Sequence, residues 1–303
     1  MPEIPKLVSL LANISSGATL LTFLLSEHSQ VVSNGETMFF NERDSKRYDC
    51  SCGKYIDECD FYTAATQHMR LPDSSGWDKR LFAHVPTLSR APLVRSLLHS
   101  IHFECAMRHR LIDAVPAYRH ERDRFLTAQL QFFANAKALS GASVYLDGTK
   151  SIPRAQLLAR DGRCDMKVLH LVRDGRGFCS SYVRHLRPTP SWIDAAKAWT
   201  RYIAWVDAFS RRFPAVPVLV VRYEDLCRCT GEVLRAICRF LDIPDRQPSI
   251  GVARPVHILG NRMRRAYGGA IVEDTSWKTT LDERTQAKLT SLMKPQLERF
   301  GYL

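Results

Sequence analysis

The sequence predicts an α/β protein built on a parallel sheet that helices cover on both faces. Three observations support this fold class. Five short apolar runs bounded by turn residues have the length of strands, and segments with helical periodicity alternate with them. One of these runs also leads into a stretch of anion-binding residue types. With 303 residues the chain is long enough for one large α/β domain, and we expect a single domain over residues 1–303.

The predicted elements follow one another along the chain. The strands are Lys6–Leu11, Gln30–Ser33, Ser143–Leu146, Lys167–Val172 and Val218–Arg222. The helices are Thr19–Ser26, Arg122–Leu139, Pro153–Ala159, Gly177–His185, Trp192–Phe213, Glu232–Leu241 and Asp282–Phe300. An aromatic stripe within the fifth of these helices is interpreted as core rather than as a stacking platform. The stripe consists of Trp192, Trp199, Tyr202, Trp205 and Phe209.

Residues 41–121 interrupt the alternation of strands and helices. They are rich in Cys, His, Arg and Pro, and they show helical patches near Leu93–Arg110. We interpret this segment as an inserted, mostly helical lid region within the domain. Insertions and loops carry the variable part of a protein's chemistry, so the segment is expected to determine the specificity of the site.

The composition is that of a globular protein with a basic surface. The chain is 45% hydrophobic and 24% charged, so a core can form without disulfide or metal cross-links. The 43 basic and 31 acidic residues give a formal charge of +12, which attracts anionic ligands or serves general solubility. No run of Lys and Arg is interleaved with aromatic residues. A small polyanionic cofactor is therefore favoured over nucleic acid as the partner.

Cysteine usage and the amino-terminal segment indicate the compartment. The nine cysteines are odd in number and mostly stand singly in apolar surroundings, which favours a reducing environment. The first apolar run, Leu7–Ala12, is short and is interrupted by Asn13–Gly17, so we expect no signal peptide. No stretch approaches the roughly 18–20 apolar residues that span a bilayer. The protein is therefore predicted to be cytoplasmic, without a membrane span.

The stretch at 167–181 gives the clearest indication of a ligand. Its apolar run ends in Arg173, a turn with Gly175 follows, and Ser181 stands eight positions after the arginine. We expect Arg173 to close the strand and Ser181 to lie about two turns into the next helix. Because open α/β folds bind ligands at the carboxyl edge of the sheet, both residues can contact one anion there.

A second anion site is predicted after the first strand. The segment Asn13–Leu21 is a loop of small residues that leads into a helix, where free backbone N–H groups attract anions. An ordinary capped helix after a strand would have the same appearance. The Gly-x₄-Gly-Lys-Ser/Thr spacing of a Walker loop is absent.

These two segments, in this order, resemble the sulfotransferases that use 3′-phosphoadenosine 5′-phosphosulfate (PAPS). The likeness is greatest to bacterial and carbohydrate-type members. The resemblance implies a P-loop-like fold and transfer of a sulfuryl group from PAPS to a hydroxyl or amine acceptor, with no metal. It also implies that Arg173 and Ser181 hold the 3′-phosphate of the cofactor.

In the family, the first loop reads Lys or Arg, Ser, Gly, Thr, Thr and holds the 5′-phosphosulfate. In this chain Ser15, Ser16, Gly17, Ala18 and Thr19 occupy those positions. Ser15 therefore takes the place of the basic residue, and Ala18 that of the first threonine. Since the family's basic residue neutralises charge on the leaving phosphate, another cation is needed for catalysis.

The resemblance assigns the two catalytic candidates. Glu36, in a Gly-Glu pair after the second strand, matches the proposed general base, although Asn-Gly-Glu is also the pattern of a solvated turn. Lys150 matches an active-site lysine of several carbohydrate sulfotransferases and is the first candidate to replace the cation missing at Ser15. Arg154 is the second candidate, and an exposed loop lysine remains the alternative interpretation of Lys150.

Two further segments resemble cofactor-binding parts of the family. Tyr223 belongs to a Tyr-Glu-Asp-Leu run whose tyrosine lies beside the adenine in the family, while the acids also suit a helix N-terminus. Arg264 matches the last arginine of a His-x₃-Gly-Asn-x₂-Arg loop that closes over the 3′-phosphate, and Arg262 is the next candidate. An arginine fork suits a phosphate dianion.

Three cysteines have the spacing of a possible metal site. Cys50, Cys52 and Cys59 supply three sulfurs, but no fourth ligand lies at zinc-finger spacing. The same Cys-x-Cys-Gly…Cys element is similar to one in bacterial sulfotransferase-like proteins. We therefore interpret it as part of the lid and predict no metal, with structural zinc as the alternative.

The whole set of motifs predicts a PAPS-dependent sulfotransferase that acts on a small-molecule or carbohydrate acceptor. One alternative is a catalytically impaired sulfotransferase-like protein that binds nucleotide, which Ser15 supports. A nucleotide-phosphate kinase of related fold is the other, and the missing Walker lysine argues against it.

Overall fold

A five-stranded parallel sheet forms the centre of the protein. The computed structural model describes residues 5–37, 48–67, 69, 85–86, 92–245, 256–260, 265 and 271–303. The strands are β1 (Lys6–Ala12), β2 (Val31–Ser33), β3 (Val144–Asp147), β4 (Asp165–Val172) and β5 (Val218–Arg222). Their order is β2-β3-β1-β4-β5 and every pairing is parallel, which confirms the predicted fold class.

Helices pack against the sheet and extend around its carboxyl edge. They are α1 (Ala18–Ser26), α2 (Asp60–Thr66), α3 (Pro92–His99), α4 (Ala106–Asp113), α5 (Pro116–Ser140), α6 (Ile152–Asp161), α7 (Gly175–His185), α8 (Trp192–Arg212), α9 (Tyr223–Arg228), α10 (Thr230–Phe240), α11 (Trp277–Thr280) and α12 (Glu283–Arg299). Two short 3₁₀ helices occupy Ile56–Glu58 and Ile101–Phe103. No helix in the described ranges combines the length and apolar character that crossing a membrane requires.

The sheet is apolar on both faces because successive strand residues point in opposite directions. Leu7 and Leu11 of β1 belong to a cluster that α5, α6 and α8 complete on one face. Val8 and Leu10 belong to a second cluster, which α1 and α10 complete on the other face. Both faces of the central strand are therefore buried, as its continuous apolar run predicts.

The segment between β2 and β3 contains helices α2 to α5 in its described part. The helix predicted to begin at Arg122 begins at Pro116, inside the region interpreted as the insertion. Proline suits this first helical position because its missing N–H would have no partner there and its φ is already helical. Residues 41–47, 68, 70–84 and 87–91 of the predicted lid lie outside the described residues.

The topology places the predicted motifs at one edge of the sheet. β1 lies between β3 and β4, so the chain winds to one side of β1 and then to the other. A crevice forms at the carboxyl end of such a switch point. The loops that follow all five strands meet along this edge, and they carry the residues singled out from the sequence.

Candidate active site

The loop between β1 and α1 has the backbone form of an anion site. Ser15 and Gly17 have φ angles of 58° and 87°, in the left-handed region. Gly17 caps α1 and has no side chain, so the capping residue makes no side-chain hydrogen bond to the first N–H groups of the helix. The hydroxyl of Ser16 is buried and has no hydrogen-bond partner among the described residues. These donors are available to a ligand.

Tyr223, at the start of α9, packs directly on this loop. A Cβ on Gly17 would overlap the Tyr223 ring, so only glycine fits there. Burial raises the pKa of Tyr223 to about 12, so its phenol stays protonated at neutral pH. The phenol oxygen accepts a hydrogen bond from the amide of Asp274, 3.0 Å away.

Arg173 closes β4 and joins this group, as the sequence predicts. Its guanidinium carbon lies 4.8 Å from the centre of the Tyr223 ring, and Nη1 donates to the Ser15 carbonyl at 3.0 Å. Nη2 donates to the carboxylate and to the backbone carbonyl of Asp274, both at 2.9 Å. The guanidinium is buried, so the carboxylate of Asp274 supplies its counter-charge.

Asp274 belongs to the candidate site through its contacts with Arg173, although the sequence does not predict it. Partial burial alone would raise its pKa, but hydrogen bonds from Ser276 and Arg173 outweigh burial and lower the pKa to about 2. The carboxylate is therefore ionised at neutral pH. No motif marks it, because it lies 101 residues after Arg173.

Ser181 lies on the buried side of α7, on the helix that follows Arg173. A Cβ on Gly177, one turn earlier, would lie 3.2 Å from Arg173 Nε, so this helix face packs on the arginine. The Ser181 hydroxyl is 3.4 Å from Nδ1 of His185. Arg262 and Arg264, the predicted arginines of the closing loop, lie outside the described residues.

The two catalytic candidates form an ion pair. Lys150 Nζ lies 2.7 Å from Glu36 Oε1, and both side chains are mostly buried. Lys150 follows β3 with a φ of 61°, which directs the loop back across the sheet edge. The amide of Glu36 donates to the carbonyl of Leu259 at 3.1 Å and so anchors the turn that carries the carboxylate.

Thr19 lies close to this pair. A Cβ on Gly260 would lie 3.3 Å from Glu36 Oε1 and 3.6 Å from Thr19 Oγ1. Gly260 therefore lies between the acid and the first turn of α1. The Lys150–Glu36 pair and the anion-binding loop consequently belong to one site.

Arg154, the second candidate for the missing cation, has a different partner. Its Nε donates to Asp147 Oδ2 at 2.8 Å, and its side chain is almost fully buried. Its terminal nitrogens have no partner among the described residues. Lys150, rather than Arg154, is thus the cation that contacts the candidate base.

A cavity of about 420 Å³ opens beside the ion pair. Its lining is largely aromatic and aliphatic, with a few charged groups. It comprises Ala12, Asn13, Ile14, Glu36, Val85, Phe125, Thr149, Lys150, Ser151, Arg154, Phe178, Tyr182, Ala198, Arg201, Tyr202 and Trp205. The size and lining suit a small organic molecule.

The aromatic stripe of α8 is divided between core and cavity. Trp199 and Phe209 are fully buried, as predicted, whereas Tyr202 and Trp205 line the cavity. The Tyr202 hydroxyl accepts from the Ala12 amide at 3.1 Å and donates to the Lys150 carbonyl at 2.9 Å. Helical spacing alone does not separate these two roles, because cavity and core lie on adjacent sides of one helix.

Comparisons with known proteins bear on the family and the fold of this chain. The sequence profile described as "Sulfotransferase family" matches residues 14–247. The sulfotransferase domain from the curacin biosynthetic pathway is 17% identical, with a TM-score of 0.52 over 96% of this chain and 98% of its own. The sulfotransferase domain from the Synechococcus PCC 7002 olefin synthase is 18% identical, with a TM-score of 0.49 over 99% and 95% of the two chains.

A mouse sulfotransferase complexed with PAP is 11% identical, with a TM-score of 0.43 over 97% of this chain and 85% of its own. No curated protein matches the sequence. At 17% identity the likeness to the domain from the curacin pathway supports the fold and assigns no residue roles.

Proposed function

The chain belongs to the sulfotransferase family, and from this premise we propose that it transfers a sulfuryl group from PAPS to a hydroxyl or amine acceptor. One observation carries the proposal. The Lys150–Glu36 ion pair lies beside both the uncapped first turn of α1 and a cavity large enough for an acceptor. The candidate base, the candidate cation, the N-terminus of α1 and the cavity therefore lie together at one edge of the sheet.

The chain's own residues fit a nucleotide with phosphates at both ends. The free N–H groups around Gly17 and the unpartnered hydroxyl of Ser16 would hold the 5′-phosphate. Arg173 and Ser181 would hold the 3′-phosphate, and Tyr223 would lie against the adenine. The formal charge of +12 favours such a ligand.

Binding of the 3′-phosphate at Arg173 requires the guanidinium to exchange partners. Asp274 holds Nη2 through one carboxylate oxygen, and its side chain is 44% exposed. A phosphate dianion can accept two parallel hydrogen bonds from a guanidinium and carries more charge than a carboxylate. We expect the phosphate to displace the carboxylate, which can turn towards solvent.

When bound, PAPS supplies the activated sulfuryl group for the reaction. Glu36 would accept the proton of the acceptor at Oε1, which makes the acceptor oxygen or nitrogen a better nucleophile. Lys150 would hold negative charge on the phosphate that departs, in place of the basic residue missing at Ser15. The two groups are 2.7 Å apart, so proton uptake and charge stabilisation occur side by side.

The cavity favours an acceptor with an apolar body. Phe125, Phe178, Tyr202 and Trp205 contribute aromatic surface, and Arg201 is a charged group at the same space. Val85 lies in the segment interpreted as a lid and also lines the cavity. We therefore infer a small aromatic or aliphatic alcohol or amine as acceptor, selected in part by residues 41–121.

Calorimetry with adenosine 3′,5′-bisphosphate tests the cofactor site. The protein should bind this nucleotide, and Arg173→Ala should weaken binding about 10- to 100-fold, because hydrogen bonds to charged groups contribute roughly 1.5–3 kcal/mol each. Arg163→Ala is the matched control, since Arg163 is half-exposed and pairs with Asp161 before the amino end of β4. Absence of binding at high micromolar nucleotide would contradict the proposal.

A binding protein without transferase activity is the second candidate, because Ser15 provides no positive charge at its position. Turnover of labelled PAPS over a panel of small alcohols and amines separates the two functions. If the wild type forms a sulfated product and Glu36→Gln does not, the result supports the transferase. Tight nucleotide binding without product from any acceptor class supports the binding protein.

A further inference from the structure

A cluster of three cysteines and one histidine lies outside the candidate active site. Its ligand atoms come from Cys50, Cys52, Cys59 and His257, and they all lie within 4.8 Å of one another. Cys50 and Cys59 are fully buried, while Cys52 is exposed. None of the three forms a disulfide.

The separations between these atoms match a tetrahedral zinc site. Ligands about 2.3 Å (sulfur) and 2.0–2.1 Å (nitrogen) from a tetrahedral Zn²⁺ lie about 3.8 Å apart for two sulfurs and about 3.5 Å apart for sulfur and nitrogen. Cys52 Sγ is 3.7 Å from Cys59 Sγ. His257 Nδ1 is 3.2 Å from Cys59 Sγ and 3.6 Å from Cys50 Sγ.

A tight turn presents the first two sulfurs. The amide of Gly53 donates to the Cys50 carbonyl at 2.9 Å, and the amide of Cys50 donates to the Lys54 carbonyl at 2.9 Å. Gly53 has a φ of 87°, which glycine adopts at little cost. The turn brings Cys50 and Cys52 to one side, opposite Cys59 at the start of α2.

The histidine is held in place by contacts on two sides. Its ring stacks on Phe61 with centres 4.8 Å apart. Its backbone carbonyl accepts hydrogen bonds from the Tyr62 hydroxyl at 2.6 Å and from Asn34 Nδ2 at 3.1 Å. Nδ1 is therefore directed at the sulfurs by a fixed ring and a fixed backbone, as in sites whose ligands are oriented by surrounding groups.

We propose that Cys50, Cys52, Cys59 and His257 bind one Zn²⁺ in a closed, tetrahedral structural site. Each Zn–S bond replaces an S–H bond, and the proton passes to the solvent, so metal binding releases protons. The imidazole binds in its neutral form through Nδ1. Four protein ligands leave no open position, which is typical of structural rather than catalytic zinc.

A disulfide explains the same cluster less well. A disulfide would use two of the sulfurs at about 2.05 Å and leave the third sulfur and the imidazole without a role. Instead, one nitrogen faces two different sulfurs at 3.2 Å and 3.6 Å. A single ion with four ligands accounts for all of these contacts.

The ion would connect the segment around His257 to the turn formed by Gly35 and Glu36. Leu259 follows His257 by two residues, and its carbonyl accepts from the Glu36 amide while its own amide donates to the Asn34 carbonyl. The amide of Ser51, which lies between two of the proposed zinc ligands, donates to the Ile258 carbonyl at 3.1 Å. Zinc at His257 would thus stabilise the segment that carries Glu36.

Metal analysis of the whole purified protein tests the site independently of sulfuryl transfer. After expression with added zinc, purification under reducing conditions and passage over a chelating resin, we expect about one Zn²⁺ per chain. Replacement by Co²⁺ should give the intense visible bands of tetrahedral cobalt and a thiolate-to-cobalt charge-transfer band. Cys52→Ser should lower zinc content at least about tenfold.

Cys229→Ser is the matched control, because Cys229 is also exposed and lies outside the cluster. It should keep the metal and the cobalt spectrum.

If Cys52→Ser does not fold, as judged by circular dichroism, the wild-type metal content and cobalt spectrum still decide the question. Wild-type protein without zinc and without the cobalt bands would overturn the proposal. So would equal zinc loss in both variants, or an intact mass lower by two hydrogens, which indicates a disulfide.

Discussion

Position 15 raises the main question at the residue scale. The family carries a basic residue there, and this chain has a serine whose backbone carbonyl accepts from Arg173. Lys150 reaches the same site from the loop after β3 and contacts Glu36. We infer that the positive charge is supplied from a different strand end.

The variant Lys150→Ala tests whether Lys150 supplies the positive charge that is missing at Ser15. In Lys150→Ala the turnover should fall about 10²- to 10³-fold, the loss typical when one preorganised electrostatic group is removed. Nucleotide affinity should change far less, because the Gly17 loop and Arg173 remain. Labelled-PAPS turnover and calorimetry on the same preparation measure the two effects.

Lys294→Ala serves as a control for the loss of a lysine, since Lys294 is exposed on α12 and pairs with Glu298. Its turnover should equal that of the wild type. Unchanged turnover in Lys150→Ala would remove Lys150 from the mechanism.

At the scale of elements, the loop between β1 and α1 combines two constraints. Gly17 needs a left-handed backbone, and the Tyr223 ring occupies the space where a side chain would begin. The sequence predicts this loop, because a strand followed by small residues and a helix is a local pattern. The contact with α9 was not predictable, since Tyr223 follows a different strand.

Gly17→Ala should therefore destabilise the protein and weaken nucleotide binding. The left-handed conformation costs a residue with a Cβ about 1–2 kcal/mol, and displacement of the Tyr223 ring adds a cost of about 1–3 kcal/mol. Urea unfolding measures the loss of stability, and calorimetry with adenosine 3′,5′-bisphosphate measures the loss of affinity.

Gly141→Ala separates the two causes. Gly141 ends α5 with a φ of 69°, but a Cβ there meets no atom within 4 Å. This variant should show only the backbone cost and should bind nucleotide normally. Equal destabilisation in both variants would mean that the overlap with Tyr223 is relieved without cost.

Element boundaries show where local patterns are insufficient. The strands were predicted to within two residues at each end, because apolar runs and turn residues are local signals. The start of α5 was placed six residues too late, at Arg122 instead of Pro116. Residues 119–122 near its start are Arg, His, Glu and Arg, so the first turns lack the apolar periodicity that marks the rest of the helix.

At the scale of the whole molecule, a buried histidine links stability to pH. His170 lies in β4, in edge contact with the Phe300 ring at 6.1 Å between centres. Desolvation by burial lowers its pKa to about 4. In the unfolded chain the imidazole takes up a proton near pH 6.5, whereas in the folded protein it stays neutral until about pH 4.

The unfolded state therefore binds more protons between these two pH values, and stability falls as the pH decreases from about 6.5 to about 4. The loss from this group amounts to up to about 3 kcal/mol. Urea midpoints measured across this range for wild type and His170→Leu test the effect, since the variant should have a shallower pH dependence. His102→Gln, at an exposed histidine, should keep the wild-type dependence, and identical slopes for His170→Leu and wild type would contradict the assignment.

The α/β class, the strand positions and the edge of the sheet that carries Gly17, Arg173 and Tyr223 could be predicted from the sequence. These features depend on apolar periodicity and turn residues, which act within a few positions of the chain, and on the rule that parallel strands end at one edge. The partners of the site residues are seen only in the folded chain: Lys150 with Glu36, Asp274 with Arg173, and His257 with three cysteines. Asp274 lies 101 residues from Arg173 and His257 lies 198 residues from Cys59, so no local pattern specifies either contact. Such contacts arise from the packing of loops against one another, which brings together residues that are distant in sequence.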